Sequence, residues 1–210
     1  MTDQLQRAHQ GEVQARVAIG KQNFQQGKYS DAMQSFDKLL TLSYCDAACQ
    51  KEVKGLDATS LWNVGKDQLT NACSMAVTTY QRLDKDFADT TEGKNAHNAL
   101  KQPQNVTGHF VNDVPDRHFT RMSLVKGLRG HMTSDQMFSL WDHTTLKTDM
   151  NANGDFTFTG IPQGNYDLLW YQNVNGTEHV AFRYNDLTLV PLHHANVGPL
   201  CPVDVGTVNA

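Results

Sequence analysis

The sequence predicts an α+β protein of two domains, with helical hairpins followed by a sandwich of seven or eight antiparallel strands. Three observations support this prediction. The chain has 210 residues, enough for two modules of about 100 residues each. Residues 1–102 contain no proline and are rich in Gln, Ala, Lys, Asp and Leu. All six prolines and most Val-, Thr- and Phe-rich runs come later. We therefore place the domains at 1–102 and 103–210, with Pro103 at the joint.

The helical half has a spaced pattern of small and large side chains in "AIGKQNFQQGKYSDAMQSFDKLLTL". Gly27 is expected to end one helix before the next begins. Ala32 and Phe36 are four residues apart and share a helix face, where the small side chain lets a second helix approach closely. A weaker copy lies 44 residues later, with Ala76, Tyr80 and Leu83 in the places of Ala32, Phe36 and Leu39.

The pattern resembles the tetratricopeptide repeat. The matching small and large positions are Gly20, Phe24, Gly27, Tyr29, Ala32 and Phe36. Two departures stand out, because Tyr44 lies near the expected proline and the offset of 44 residues exceeds the typical length of about 34. The segment "YQRLDKDFADT" looks like a repeat ending of cell-envelope proteins, with Ala88 in place of proline. A four- or five-helix bundle is the alternative.

One good and one weaker repeat are too few for a free-standing solenoid, because each repeat needs a neighbour to bury its apolar face. We expect the helices to pack on the β half or on another subunit. The predicted interaction surface consists of Phe24, Tyr29, Phe36 and Tyr80. A protein partner, with self-association foremost, is therefore predicted.

The β half alternates apolar and polar residues in short segments separated by turns. Strands are predicted near "NVTGHFV", "HFTRMSLVKG", "QMFSLWDH", "DFTFTGI", "NYDLLWYQ", "TEHVAFRYN", "DLTLVPL" and "PVDVGTV". Asn153–Gly154 predicts a hairpin, because both residues of this dipeptide accept positive φ. The last strand is expected at a sheet edge, where it could pair with a neighbouring molecule.

The stretch "TDMNANGDFTFTGIPQGNYDLLWY" resembles the carboxypeptidase regulatory-like family. The matching residues are Thr148, Asp149, Gly154, Phe156, Phe158, Ile161, Pro162, Gly164, Tyr166 and Leu168. The resemblance implies a transthyretin-like sandwich across residues 105–208. Its middle is poorly matched, since "SLVKGLRGHMTSDQMFSLWDH" has no clear counterpart.

The same stretch spaces polar side chains like the start of a calcium loop. These side chains are Asp149, Asn151, Asn153 and Asp155. The twelfth position of an EF-hand loop must carry a bidentate acid, and Gly160 stands there. A tight turn is therefore favoured over a metal site, with weak calcium binding as the alternative.

Net charge, the distribution of apolar residues and the cysteine content reduce the number of possible functions and locations. The net charge of −4 and a pI of about 6.1 disfavour nucleic-acid binding, and no apolar run is long enough to predict a membrane span. Cys45, Cys49, Cys73 and Cys201 are compatible with buried thiols, with disulfides or, less readily, with a metal. We expect an extracytoplasmic protein whose leader is absent from this chain, with the cytoplasm as the alternative.

No catalytic motif was found, so neither catalytic residues nor a cofactor are predicted. Adjacent residues of a strand face opposite sides, which argues against a shared metal at His193 and His194. The predicted function is a structural or assembly subunit, which includes a filament subunit. The alternative is a carbohydrate- or small-ligand-binding module, with Trp141 and Tyr171 as stacking groups.

Overall fold

The computed structural model describes residues 2–113, 116–126, 135–136, 139, 143–181, 184–185, 188–189 and 193–209. The chain divides into two compact units, Met1–Lys101 and Gln102–Ala210. The first is helical and the second consists mainly of strands, so the predicted α+β class is confirmed.

Five helices form the first unit, and each packs against the next along the chain. They are α1 (Thr2–Gln25), α2 (Tyr29–Leu40), α3 (Ala47–Asn71), α4 (Cys73–Asp86) and α5 (Thr91–Leu100). Helix α1 ends where Gly27 adopts a φ of 73°. The Lys28 N–H then donates to the Asn23 carbonyl and the Gly27 N–H to that of Phe24, the two bonds of a Schellman motif.

A close contact between a glycine and an aromatic ring recurs in the two helix pairs. A Cβ atom at Gly20 in α1 would overlap the Phe36 ring of α2, and one at Gly65 in α3 would overlap the Tyr80 ring of α4. The two copies of the small-and-large pattern are buried around these contacts. They comprise Ala32, Phe36 and Leu39 in the first copy and Ala76, Tyr80 and Leu83 in the second. The internal repetition is thus present in the packing.

Ten strands lie in the described part of the second unit. They are β1 (Gln104–Val111), β2 (Phe119–Lys126), β3 (Lys147–Asp149), β4 (Asp155–Ile161), β5 (Gly164–Val174), β6 (Thr177–Ala181), β7 (Tyr184–Asn185), β8 (Thr188–Leu189), β9 (His194–Val197) and β10 (Val203–Asn209). One sheet has the order β10-β1-β4, the second has the order β3-β2-β5-β6 with β9 also on β5, and β7 pairs with β8. The two larger sheets therefore hold eight strands.

The inner residues of these sheets share one core. It includes Val106, Met122, Phe156, Phe158, Tyr166, Leu168 and Trp170. Most pairings are antiparallel, as expected, but β1 pairs with β10 in parallel. Strand β5 is buried from Tyr166 to Tyr171 on both faces, which explains why "YDLLWY" is apolar at every position except Asp167.

The predicted hairpin at Asn153–Gly154 is wrong in its topology. A turn does lie there, with the Gly154 N–H donating to the Asn151 carbonyl at 3.0 Å. It connects β3 of one sheet to β4 of the other, and only Gly154 of the two residues has a positive φ, of 88°. The two-residue hairpin turn is at Asn175–Gly176, where φ is 52° and 84° between β5 and β6.

Candidate functional site

The helical unit has a surface cleft of about 420 Å³ at the α1–α2 turn and the C-terminal end of α3. Its lining includes Lys28, Tyr29, Asp31, Asp67, Gln68 and Asn71. The Schellman motif at Gly27 directs the chain into this turn and places Tyr29 at the first position of α2. The Tyr29 ring is half-buried and meets Phe24 edge-on at a centroid distance of 5.5 Å. The cleft thus places one half-buried aromatic ring among polar and charged side chains.

Only part of the predicted interaction surface lies at this cleft. Tyr29 lines it, whereas Phe24 contacts the Tyr29 ring and packs on the α1–α2 core. Phe36 is 0% and Tyr80 is 2% exposed. Because these two rings fill the space above Gly20 and Gly65, they belong to the interior, and the structure corrects their assignment to a contact surface.

The predicted stacking residues are not brought together as a ligand platform. Trp141 lies outside the described residues. Tyr171 is 0% exposed, so its assignment as a stacking residue is corrected. Its hydroxyl is hydrogen-bonded to that of Ser123 at 3.0 Å, in the buried layer between β5 and β2. A sugar cannot stack on a ring that is covered on both faces.

The proposed calcium ligands make separate contacts at the β3–β4 turn. The Asp149 carboxylate accepts from Arg121 Nε at 2.7 Å, and Asp155 contacts His109 Nδ1 at 2.8 Å. The Asn151 side-chain oxygen accepts from the backbone N–H groups of Asn153 and Asp155, both at 2.9 Å. Hydrogen bonding from His109, followed by that from Asn151, lowers the pKa of Asp155. The side chains of Asp149, Asn151 and Asp155 are thus engaged in hydrogen bonds within the protein, and these hydrogen bonds hold the β3–β4 turn.

Within the described ranges, no group of three or more His, Cys, Asp or Glu side chains is arranged to hold a metal ion. Histidine–carboxylate pairs do occur: His97 contacts Asp84, His109 contacts Asp155, and His194 contacts Asp167. The two adjacent histidines have different neighbours, since the His193 ring meets Trp170 at 6.1 Å. Burial, with the neighbouring His194 as a second cause, lowers the pKa of His193.

A cluster of charged residues around the buried Asp57 joins α2, α3 and α4. Asp57 is 0% exposed, and neither of its carboxyl oxygens has a hydrogen-bond partner. Its Oδ2 lies 3.7 Å from Arg82 Nη2, while the Arg82 guanidinium is hydrogen-bonded to both oxygens of Asp37. Burial, aided by the Asp37 charge, raises the pKa of Asp57 to about 8.

Sequence reasoning missed this cluster. Val53, Asp57 and Leu61 recur every fourth residue and all three are buried. A charged residue in the middle of an apolar stripe was therefore the available signal.

The four cysteines are disulfide-bonded, and none is a free thiol. Cys45 pairs with Cys49 at the start of α3, where Asp46 caps the helix by accepting from the Cys49 N–H at 2.9 Å. Of the alternatives that the sequence left open, the disulfide is the one observed. Each helix in the described ranges is too short or too polar to cross a bilayer.

Comparison with known proteins identifies no family. No family model and no curated protein matches the chain. A Pseudomonas aeruginosa protein to which carbohydrate binding has been ascribed aligns at 12% identity and a TM-score of 0.27, over 58% of this chain and 98% of its own.

Two further solved structures align over smaller parts of their own length. The major pilin subunit of Bacillus cereus aligns at 15% identity and a TM-score of 0.24, over 50% of this chain and 28% of the pilin. A lipoxygenase from Cyanothece aligns at 12% identity and a TM-score of 0.24, over 70% of this chain and 24% of the enzyme. Likenesses this low carry no conclusion about function.

Proposed function

We propose that the chain is a non-catalytic interaction protein of an extracytoplasmic compartment, where it serves as a scaffold or assembly subunit. In this proposal residues 1–102 act as a tetratricopeptide-like domain and residues 103–210 as a carboxypeptidase regulatory-like domain. The cleft beside Tyr29 is the observation that carries the proposal. It is an open groove with one aromatic ring in a repeated helical unit, of a kind suited to a segment of another chain.

The contacts of the titratable side chains support a non-catalytic role. The three histidines of the described histidine–carboxylate pairs contact Asp side chains, and His97 additionally contacts Lys101 Nζ at 2.7 Å. These contacts do not activate a hydroxyl or thiol as a nucleophile, which acyl-transfer catalysis requires. The disulfide-bonded state of the cysteines supports an oxidising, extracytoplasmic compartment.

The helical cleft is a better contact site than the edge strand β10. Thr107 pairs with Asp204 and His109 with Thr207, so β10 carries one extra residue opposite Gly108. A bulge of this kind twists an edge strand and interrupts its row of hydrogen-bonding groups. We therefore propose that the cleft, rather than β10, binds a second copy of this chain.

Light scattering at several protein concentrations tests the proposal. The parent protein should increase in mass with concentration. Asp67→Arg reverses the charge of an exposed residue of the cleft and should abolish the increase. Asp3→Arg makes the same charge change at an exposed residue that does not line the cleft, and it should self-associate like the parent. A strict monomer at every concentration, without a partner cross-linked in the native source, contradicts the proposal.

The alternative function is carbohydrate or small-ligand binding. With Tyr171 buried, Trp141 is the remaining predicted stacking residue. Titration with sugars, followed by tryptophan fluorescence in the parent and in Trp141→Phe, separates this alternative from assembly.

A further inference from the structure

Two segments of the β unit have the Asn-x-Thr pattern of N-linked glycosylation acceptors. They are Asn105-Val106-Thr107 and Asn175-Gly176-Thr177. The pattern alone cannot distinguish them, because both have the required amide and hydroxyl. Their surroundings in the fold differ.

Asn175-Gly176-Thr177 forms the tip of the β5–β6 hairpin, and all three residues are exposed. The Gly176 N–H is taken by the Asn173 side chain, which accepts it at 2.9 Å. The Asn175 side-chain amide has no hydrogen-bond partner among the described residues. It is therefore free to enter the active site of a modifying enzyme without the loss of a contact.

Asn105 is placed differently, in the central strand of the β10-β1-β4 sheet. Its side-chain oxygen accepts from the Gly160 N–H at 3.3 Å. Thr107, the hydroxyl residue of this triplet, pairs with Asp204 on one side and Thr157 on the other. An enzyme would have to pull this segment out of two strand pairings to bind it in the folded protein.

We propose that Asn175 is an N-glycosylation site whose sugar donor is a glycosyl diphosphate, carried either by a nucleoside or by a polyprenyl lipid. Asn175 Nδ2 forms a bond to the anomeric carbon of the sugar and loses one proton to a base of the transferase. The bond from the anomeric carbon to the diphosphate oxygen breaks, and the diphosphate leaves with its electron pair. For the lipid-linked donor, the proposal rests on the extracytoplasmic location in the proposed function.

The position also gives the glycan a physical role. Strand β6 is at one end of the described strand order of its sheet, directly after the modified turn. Exposed edge strands invite pairing with other chains, and bulky or polar groups beside them oppose it. A glycan on Asn175 shields this edge.

Intact-mass measurement in two arms tests the site and identifies the donor. In one arm, the folded full chain is incubated with a soluble N-glycosyltransferase and a nucleoside-diphosphate hexose. In the other, the chain is exported through a secretory pathway that uses polyprenyl-linked oligosaccharide. Asn175→Gln removes the acceptor, Thr177→Ala removes the hydroxyl but keeps Asn175, and Asn105→Gln removes the second triplet.

One glycan per chain is expected in at least one arm, and the arm that succeeds identifies the donor. The modification should vanish in Asn175→Gln and in Thr177→Ala and persist in Asn105→Gln. Unmodified parent protein in both arms overturns the proposal, and so does a glycan that persists in Thr177→Ala. Because the readout is a covalent mass, its failure is distinguishable from a failure of self-association in light scattering.

Discussion

Among the residues that the structure describes, each unit buries one aspartate, and the two are accommodated in different ways. Asp57 in the helical unit is 0% exposed and accepts no hydrogen bond, and the nearby Arg82 is hydrogen-bonded to Asp37 instead. Asp167 in the β unit is 3% exposed and is hydrogen-bonded by His194. The His194 side chain is 68% exposed, so it reaches from solvent to the buried carboxylate.

The difference shows two ways in which a fold can reduce the free-energy cost of burying a carboxyl group. Ionising a buried group without hydrogen bonds is expensive, so the group keeps its proton instead. Asp57 follows this route, with a pKa raised to about 8. Asp167 instead has a polar partner. The first solution makes the stability of the helical unit sensitive to pH, whereas the second gives the buried carboxylate a hydrogen bond from His194.

The largest expected effect is a loss of stability of the helical unit as pH rises. The pKa of Asp57 is about 8 in the fold, against an ordinary value of 3.8 for an aspartate. Between these values the folded state holds a proton that the unfolded chain has released, so the free energy of unfolding falls with increasing pH. The slope is at most about 1.4 kcal/mol per pH unit. Hydrogen exchange of the α3 amides from pH 5 to 9, corrected for intrinsic exchange rates, measures it.

Asp57→Asn is the matched control for the pH effect, because its amide cannot ionise and has nearly the same shape. In this variant, the protection of the α3 amides against hydrogen exchange should change little between pH 5 and 9. Charged groups near Asp57 are Asp37 on α2 and Arg82 and Asp86 on α4, and they are unchanged in the variant. Equal pH slopes for the parent and the variant would assign the titration to one of these neighbours.

An intermediate effect is expected when each aspartate is replaced by alanine at neutral pH. Asp167→Ala removes an acceptor from a satisfied buried pair and should lower the stability of the β unit by about 1–3 kcal/mol. Asp57→Ala removes a carboxyl group whose oxygens accept no hydrogen bond, and its cost should be the smaller of the two. Exchange protection of β5 and of α3 reports each unit separately. A larger cost at Asp57 would reverse the comparison.

Sequence reasoning predicted the order of the units and most strands, because these depend on local periodicity. The two Asn–Gly dipeptides show what local periodicity cannot predict. Asn175–Gly176 makes the hairpin, whereas Asn153–Gly154 carries the chain from one sheet to the other. The second outcome depends on β3 pairing with β2 and β4 with β1. Such pairings join residues far apart in the chain, and a local turn signal does not contain them.

The candidate site was predictable to a smaller extent. Tyr29 was predicted as part of the interaction surface because it is one of the large residues of the repeat pattern, and it lines the cleft. Phe36 and Tyr80 have the same local signature but are buried, because each packs on a glycine of the preceding helix. Those glycines, Gly20 and Gly65, were visible in the sequence. Their pairing with particular rings required the packing of the helices.

The smallest expected effect concerns the exposed partner in the β unit. His194→Gln keeps a side-chain donor but moves it away from the Nδ1 position that meets Asp167. Water can reach this site along the exposed side chain, so a lost hydrogen bond is partly replaced, and a cost below about 1 kcal/mol is expected. Thermal unfolding of the parent, His194→Gln and Asp167→Ala, measured side by side, checks the ranking. If His194→Gln cost as much as Asp167→Ala, water would not replace the lost hydrogen bond, and the expected ranking of the two variants would be wrong.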